Sequence, residues 1–311
     1  MQTPIVSFKV FQSGDILKIS DTVANVDRAL TDYGFMASSD LGFSNELIAR
    51  VFKASATFFS SDQKNKIRSA YSSAEENFGY QAFASEHLDP TNPPDLKETF
   101  TMRNILNATV EDNRWPSVEF KELMQLFFAE CLERALLLQR ILASALNLDE
   151  TFFVKFHSGQ NISLRLLHYP ACDSSELKDS QLGAGAHSDY GLTTFLFQDS
   201  VGGLEICDKN GDWQTIKPDK SVVLINSGDL LERWTNGKYR STLHRVKPMT
   251  RGKDRFSIAF FVDPDSDTEI KVLDSCIDAE TPRKFSDINA GEYIRGKLET
   301  SHVDFQKEGP L

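Results

Sequence analysis

His187, Asp189 and His244 are the residues of this chain best equipped for chemistry. Two imidazoles and one carboxylate can occupy one face of an octahedral Fe(II) and leave the opposite face open, where a co-substrate and dioxygen can meet. The same ligands suit Zn²⁺. A zinc hydrolase, however, wants a further general base, often from His-Glu-x-x-His, and that motif is absent. Iron is therefore the expected metal. Arg255-Phe-Ser257 follows, and strand alternation would put its guanidinium and hydroxyl on one face. The apolar neighbours Phe256, Ile258, Phe260 and Phe261 predict a buried strand. A buried Arg needs a partner. A carboxylate matches its fork in two places, which Lys cannot reproduce.

His-x-Asp alone carries little weight, so the elements around it matter. Gly183-Ala-Gly-Ala186 precedes His187, and Leu192 to Phe197 follows Asp189 as a strand-like run, placing both groups at a strand start beside a turn. His244 lies in Ser241 to Val246, also strand-like. Two neighbouring antiparallel strands would bring the three groups together at the mouth of a barrel, a common place for a ligand.

From Asn161 onward, short β-branched or aromatic runs at 163–169, 192–197, 204–207, 213–216, 221–225 and 256–262 alternate with turns such as Asp208-Lys-Asn-Gly211. Closely spaced strands without intervening helices predict an antiparallel sandwich or barrel. Upstream, Val6 to Phe11 alternates like a strand, and helices are expected over 20–33 and 44–59. The clearest helix should begin near Pro116 and run to about Leu146. Phe120, Met124, Phe127, Cys131, Ala135, Leu138, Leu142 and Ala145 form one stripe on it that faces a core. Ser72 to Pro94 reads as a long loop carrying Phe78, Tyr80 and Phe83, expected to close over a substrate as a lid. The tail should hold a strand over 270–273 and a helix from Ala290, with Asn289 as N-cap and Glu292 three residues on. The expected class is α+β with a mainly β core. Its parts are an N-terminal region (1–115), a helical spine (116–160), the catalytic β core (161–265) and a C-terminal tail (266–311), forming one unit.

Composition narrows the partners. The net charge is −11, with 45 acidic against 34 basic residues, and no Lys/Arg stripe is present to follow phosphates. Nucleic acid and anionic membrane surfaces are therefore not expected partners. No run approaches the roughly 20 apolar residues of a membrane span. No signal peptide is visible. The four cysteines are scattered, as in a reduced, cytoplasmic protein. A monomer acting on a small molecule is expected.

These segments resemble the iron- and 2-oxoglutarate-dependent dioxygenases, in the branch that includes isopenicillin N synthase and the plant hormone and flavonoid oxygenases. The resemblance rests on Ala186 to Glu205, Asn226 to Val246 and Arg255 to Pro264, with weaker matches at Asp95 to Phe100 and around Thr31 to Phe35. It implies a double-stranded β-helix, or jelly roll, flanked by helices. It implies Fe(II) held by His187, Asp189 and His244, and 2-oxoglutarate held through its distal carboxylate by Arg255 and Ser257, with help from Tyr169. Phe261 matches a substrate-pocket position, which Phe78 and Tyr80 would join from the lid. Leu167 stands where many members have Asn, and Ala171 where many have a second Pro. The implied reaction uses dioxygen to hydroxylate, desaturate or cyclise a small molecule, with release of succinate and CO₂. An oxidase of the isopenicillin N synthase type that needs no 2-oxoglutarate, or a non-catalytic small-molecule sensor, are the alternatives. His168 is expected to be structural, Arg165 an ion-pair or pocket residue, and Trp234 core. His87, His157 and His302 are expected to be ordinary.

Overall fold

The structure is a computed structural model that describes residues 3–9, 16–107 and 110–301. Val10 and Phe11 of the expected first strand, and His302, lie outside the described residues. Two antiparallel sheets form the β core. In chain order its strands are β1 (Phe35–Ser38), β2 (Phe78–Gln81), β3 (Glu98–Arg103), β4 (Ser163–Tyr169), β5 (Ala184–His187), β6 (Thr193–Gln198), β7 (Leu204–Cys207), β8 (Trp213–Thr215), β9 (Val223–Ser227), β10 (His244–Val246) and β11 (Arg255–Val262). The larger sheet has seven strands in the order β1-β9-β6-β11-β4-β3-β2, and the smaller has four, β5-β10-β7-β8. This is the expected jelly-roll arrangement, open rather than closed as a barrel.

Period-two alternation sorts the large sheet's side chains between two environments. Leu164, Leu166, Phe195, Phe197, Ile258 and Phe260 belong to the core shared with the helices. Leu167, Tyr169 and Ala259 point the other way, into a second cluster with Ala184, Leu204, Ile206 and Val246 of the small sheet. The Val118–Ala145 helix covers the first face, and Ser117 caps it by accepting from the Phe120 N–H at 3.1 Å. Pro116 thus stands just ahead of the cap rather than in the first turn. Phe127 and Phe128 meet Phe197 and Phe260 edge-on, with ring centroids 5.2 and 5.0 Å apart. Seven of the eight stripe residues are buried, and Ala145 is half-buried. The helix is the expected spine.

Part of the expected lid is a strand, while residues 82–94 remain irregular. Phe78 to Gln81 forms β2, paired with β3 so that Phe78 faces Met102 and Tyr80 faces Phe100. Both aromatic rings therefore fall on the helix side of the sheet. Phe78 packs against Phe100 and Trp115, and the Tyr80 hydroxyl donates to Glu98 at 2.5 Å. Near the C-terminus, the strand expected over 270–273 shrinks to Glu269–Ile270, paired only with Ile288–Asn289. The Ala290–Ser301 helix follows, and the Asn289 side chain caps it by accepting from the Glu292 N–H at 2.9 Å.

Candidate active site

The two histidines stand opposite one another. β10 pairs antiparallel with β5, and His244 is the register partner of His187. His187 thus ends one strand instead of starting the next, and Asp189 lies in the turn that follows. One donor atom from each of His187, Asp189 and His244 falls within 4.8 Å of the others. The imidazole centroids are 4.3 Å apart, and His244 Nε2 is 3.7 Å from Asp189 Oδ1.

The backbone sets the ring orientations. His187 Nδ1 faces the Gly185 carbonyl at 2.7 Å, and His244 Nδ1 faces the Thr242 carbonyl at 3.1 Å. A nitrogen facing a carbonyl carries the proton, which leaves each Nε2 lone pair free. Burial, and then the neighbouring His244, push the His187 pKa down to about 3, so this imidazole stays neutral. Burial pushes the Asp189 carboxyl up, but the two imidazoles, the Asn226 amide and the Thr194 hydroxyl outweigh it and hold it below the usual range. Two imidazoles that present Nε2 and one ionised carboxylate are the donor set a divalent metal requires.

Two contacts fix the Asp189 turn. Asn226 Nδ2 donates to Asp189 Oδ2 at 2.6 Å, leaving Oδ1 toward the histidines. The Asp229 N–H donates to the Asp189 carbonyl at 2.8 Å. Partners of metal ligands typically tune affinity by about 10- to 100-fold. Asn226→Ala is therefore expected to weaken iron binding by roughly that factor while the protein stays folded. Anaerobic iron titration beside a thermal melt would check it, and an unchanged midpoint would refute it. Gly228 lies under the same turn, where a Cβ would meet the Gly191 carbonyl oxygen at 2.4 Å and the Asp189 carbonyl oxygen at 3.1 Å. Backbone cannot step aside cheaply, so Gly228→Ala should cost about 1–3 kcal/mol of stability and weaken iron binding as well. A Tm equal to that of the parent would contradict this packing.

Arg255 is 1% exposed. It donates to Ser257 Oγ and Gln198 Oε1, both at 3.2 Å, lies 4.7 Å from the Tyr169 ring, and its Nε has no hydrogen-bond partner. Among the described residues no carboxylate pairs with it. A buried guanidinium without an anion is a strong demand for one. Arg255, Ser257, Tyr169, Phe261 and the three ligand residues all line one cavity between the sheets, about 1030 Å³ of empty space counted to its open mouth. Phe261 continues the inward alternation of Arg255 and Ser257. Leu167, cross-strand from Ser257, supplies apolar wall at the position where Asn is common. Phe78 and Tyr80 do not reach the cavity, because their rings are in the core on the other face of the sheet. The lining instead includes Leu88, Ile294 and Leu298, the last two from the C-terminal helix.

Two polar groups of the wall, Lys97 and Asp263, are not singled out in the sequence. Lys97 is buried between Asp95 and Glu86. Desolvation pushes its pKa down, but the two carboxylates win and hold it above its ordinary value. Arg165 pairs with Glu86 and donates to Gln81 and Thr99. Asp95 also accepts from the Gly185 N–H at 2.8 Å, tying the N-terminal region to the strand that ends in His187. His168 is structural, set between Glu98 and Asp254 and stacked on Phe256. Trp234 is core. His157 is buried, and burial pushes its pKa down to about 4. Asp263, at the end of β11, has its carboxyl pushed up to about 7 by burial and then by Asp189.

Comparison with known proteins fits this geometry. Residues 160–264 match the family model of the 2OG-Fe(II) oxygenase superfamily, and residues 3–118 match that of the non-haem dioxygenase in morphine synthesis N-terminal region. A 2-oxoglutarate-Fe(II) type oxidoreductase of Aspergillus fumigatus is 33% identical, across 83% of this chain and 81% of its own length. The 2-oxoglutarate-Fe(II) type oxidoreductase hxnY of Emericella nidulans is 29% identical, across 96% and 90%. Among solved structures, a full-length Neurospora crassa protein in complex with alpha-KG and thymine superimposes with a TM-score of 0.86 at 32% identity. The match covers 95% of this chain and 96% of the other. The chain belongs to the 2OG-Fe(II) oxygenase superfamily. It is a 2-oxoglutarate-dependent dioxygenase whose cofactors are Fe(II) and 2-oxoglutarate.

Proposed function

We propose that His187, Asp189 and His244 hold the iron, that Arg255 and Ser257, with Tyr169 beside them, hold the distal carboxylate of 2-oxoglutarate, and that a small organic molecule is oxidised against Phe261. Iron, 2-oxoglutarate and dioxygen supply the oxidising power, and the net change for hydroxylation is R–H, 2-oxoglutarate and O₂ to R–OH, succinate and CO₂. The protein supplies position and dryness. The two backbone carbonyls fix the imidazole tautomers. Asn226 fixes the carboxylate. Arg255 would hold the distal carboxylate of the co-substrate, and the apolar wall of Leu167, Leu196, Leu204, Val246 and Phe261 would keep water from the reacting centre. The Neurospora crassa structural neighbour is in complex with thymine, which supports a substrate of that small size.

One observation carries the reading: the buried Arg255, without a paired carboxylate among the described residues, shares a cavity with the two-histidine, one-carboxylate triad. Anaerobic titration with Fe(II) and then 2-oxoglutarate, followed by a succinate-release screen over metabolites, tests it. Saturable binding of both and substrate-stimulated succinate are expected. Iron binding without 2-oxoglutarate binding would point to an oxidase. Binding of both without turnover of any metabolite would point to a sensor. A cytoplasmic monomer completes the proposal. All four cysteines are free, and among the described residues no helix is long and apolar enough to cross a membrane.

A further inference from the structure

Asp263 extends the inward face of β11 two positions beyond Phe261 and lines the same cavity. Its carboxylate lies directly on Gly191, where a Cβ would fall 1.7 Å from Oδ1. The glycine therefore makes room for it. Among the described residues no hydrogen-bond donor reaches this carboxylate. Arg103 acts on it through charge without a hydrogen bond, and its guanidinium donates to the carbonyls of Ala74 and Glu75. Asn77, Thr101, Ser163 and Tyr190 are further polar groups of the same cavity lining.

Charge balance gives this group a meaning, on the reading proposed above. The two positive charges of Fe(II) and the one on Arg255 match the single charge of Asp189 and the two of 2-oxoglutarate. Lys97 and Arg165 match Asp95 and Glu86. Among the described residues, Asp263 is the acidic group of the lining left without a counter-charge. A half-buried carboxylate without a partner is costly, and a complementary cation relieves that cost with short, charge-assisted hydrogen bonds.

We propose that Asp263 determines specificity by receiving the guanidinium group of a cationic small-molecule substrate, so that the remainder of that molecule lies along Phe261 toward the iron.

The test is anaerobic calorimetry on the protein carrying Fe(II) and 2-oxoglutarate. The probes are homoarginine, homocitrulline, which keeps the α-ammonium and replaces only the guanidinium by a neutral urea, and thymine. Homoarginine is expected to bind at least about tenfold more tightly than either other probe. Asp263→Asn should remove that preference and leave the 2-oxoglutarate titration unchanged. Asp263→Ser serves the same purpose if the Asn variant does not take up iron. Equal affinity for homoarginine and homocitrulline, no homoarginine binding, tighter binding of thymine, or a preference that survives Asp263→Asn each overturns the proposal. A wild-type protein that fails to bind 2-oxoglutarate would instead overturn the underlying functional reading, and the first titration reveals that separately.

Discussion

Asp189→Ala is expected to abolish turnover and to weaken iron binding by more than about 100-fold. Losing a hydrogen-bond partner of a metal ligand costs about 10- to 100-fold, and losing the ligand itself should exceed that. Asp189 is the only anion of the triad, since His187 is held neutral by burial. Without it, two imidazoles face a dication with no compensating charge. The substitution also leaves the Asn226 amide, paired at 2.6 Å, without its acceptor, at a cost of about 1–3 kcal/mol in stability. A melt of the iron-free variant therefore belongs beside the iron titration, so that loss of fold and loss of ligand are distinguished. A folded Asp189→Ala protein that binds iron as well as the parent would remove the basis for the proposed metal site.

Arg255→Lys should weaken 2-oxoglutarate binding by about 30-fold, close to 2 kcal/mol, although the charge is kept. The guanidinium is placed by its bonds to Ser257 and Gln198 and by the Tyr169 ring, which leave its remaining N–H groups for a planar partner. An ammonium offers a point charge in place of a fork. Its shorter reach would also leave Gln198 Oε1 buried without a donor. Iron affinity should be nearly unchanged, because Arg255 touches none of the three ligand residues by hydrogen bond or ion pair. Comparable 2-oxoglutarate affinity in the two proteins would favour the oxidase reading.

Much of the site is legible because short-range pattern and final environment agree. Arg255, Ser257 and Phe261 share a face by simple alternation, and the strand that carries them is apolar enough to be read as buried. The Val118–Ala145 helix announces itself by its stripe. Phe78 and Tyr80 escape such a reading because Gly79, with φ of 122°, and the turn-forming residues around them give a loop-like texture. β2 exists because β3 lies on one edge of it and the Ser69–Tyr71 backbone on the other, which is a fact of tertiary pairing. β5 is equally quiet. Ala184-Gly-Ala-His187 has little strand propensity, and Gly185 is small because Asp89 and Asp95 press against it, its notional Cβ lying 2.8 Å from the Asp89 nitrogen. Hence the local pattern predicts that His187 opens a strand, whereas it closes one. Asp263 cannot be singled out in the sequence, since its lack of partners depends on where Arg103 and Gly191 fall in space.

The pairing of His187 with His244 across one rung of a β-ladder has a consequence for how the protein meets its metal. In many small metal-binding domains the ligands gather only when the ion arrives, and binding energy is spent on folding. Here the spacing of the two imidazoles is a property of hydrogen-bonded backbone, fixed before any ion is present. Metal uptake should then need little rearrangement, and an iron-depleted molecule is a ready receptor, not an unfolded chain. Iron should raise Tm with its free concentration as simple mass action. Intermittent iron supply would thus change the fraction of active molecules without condemning the rest to degradation.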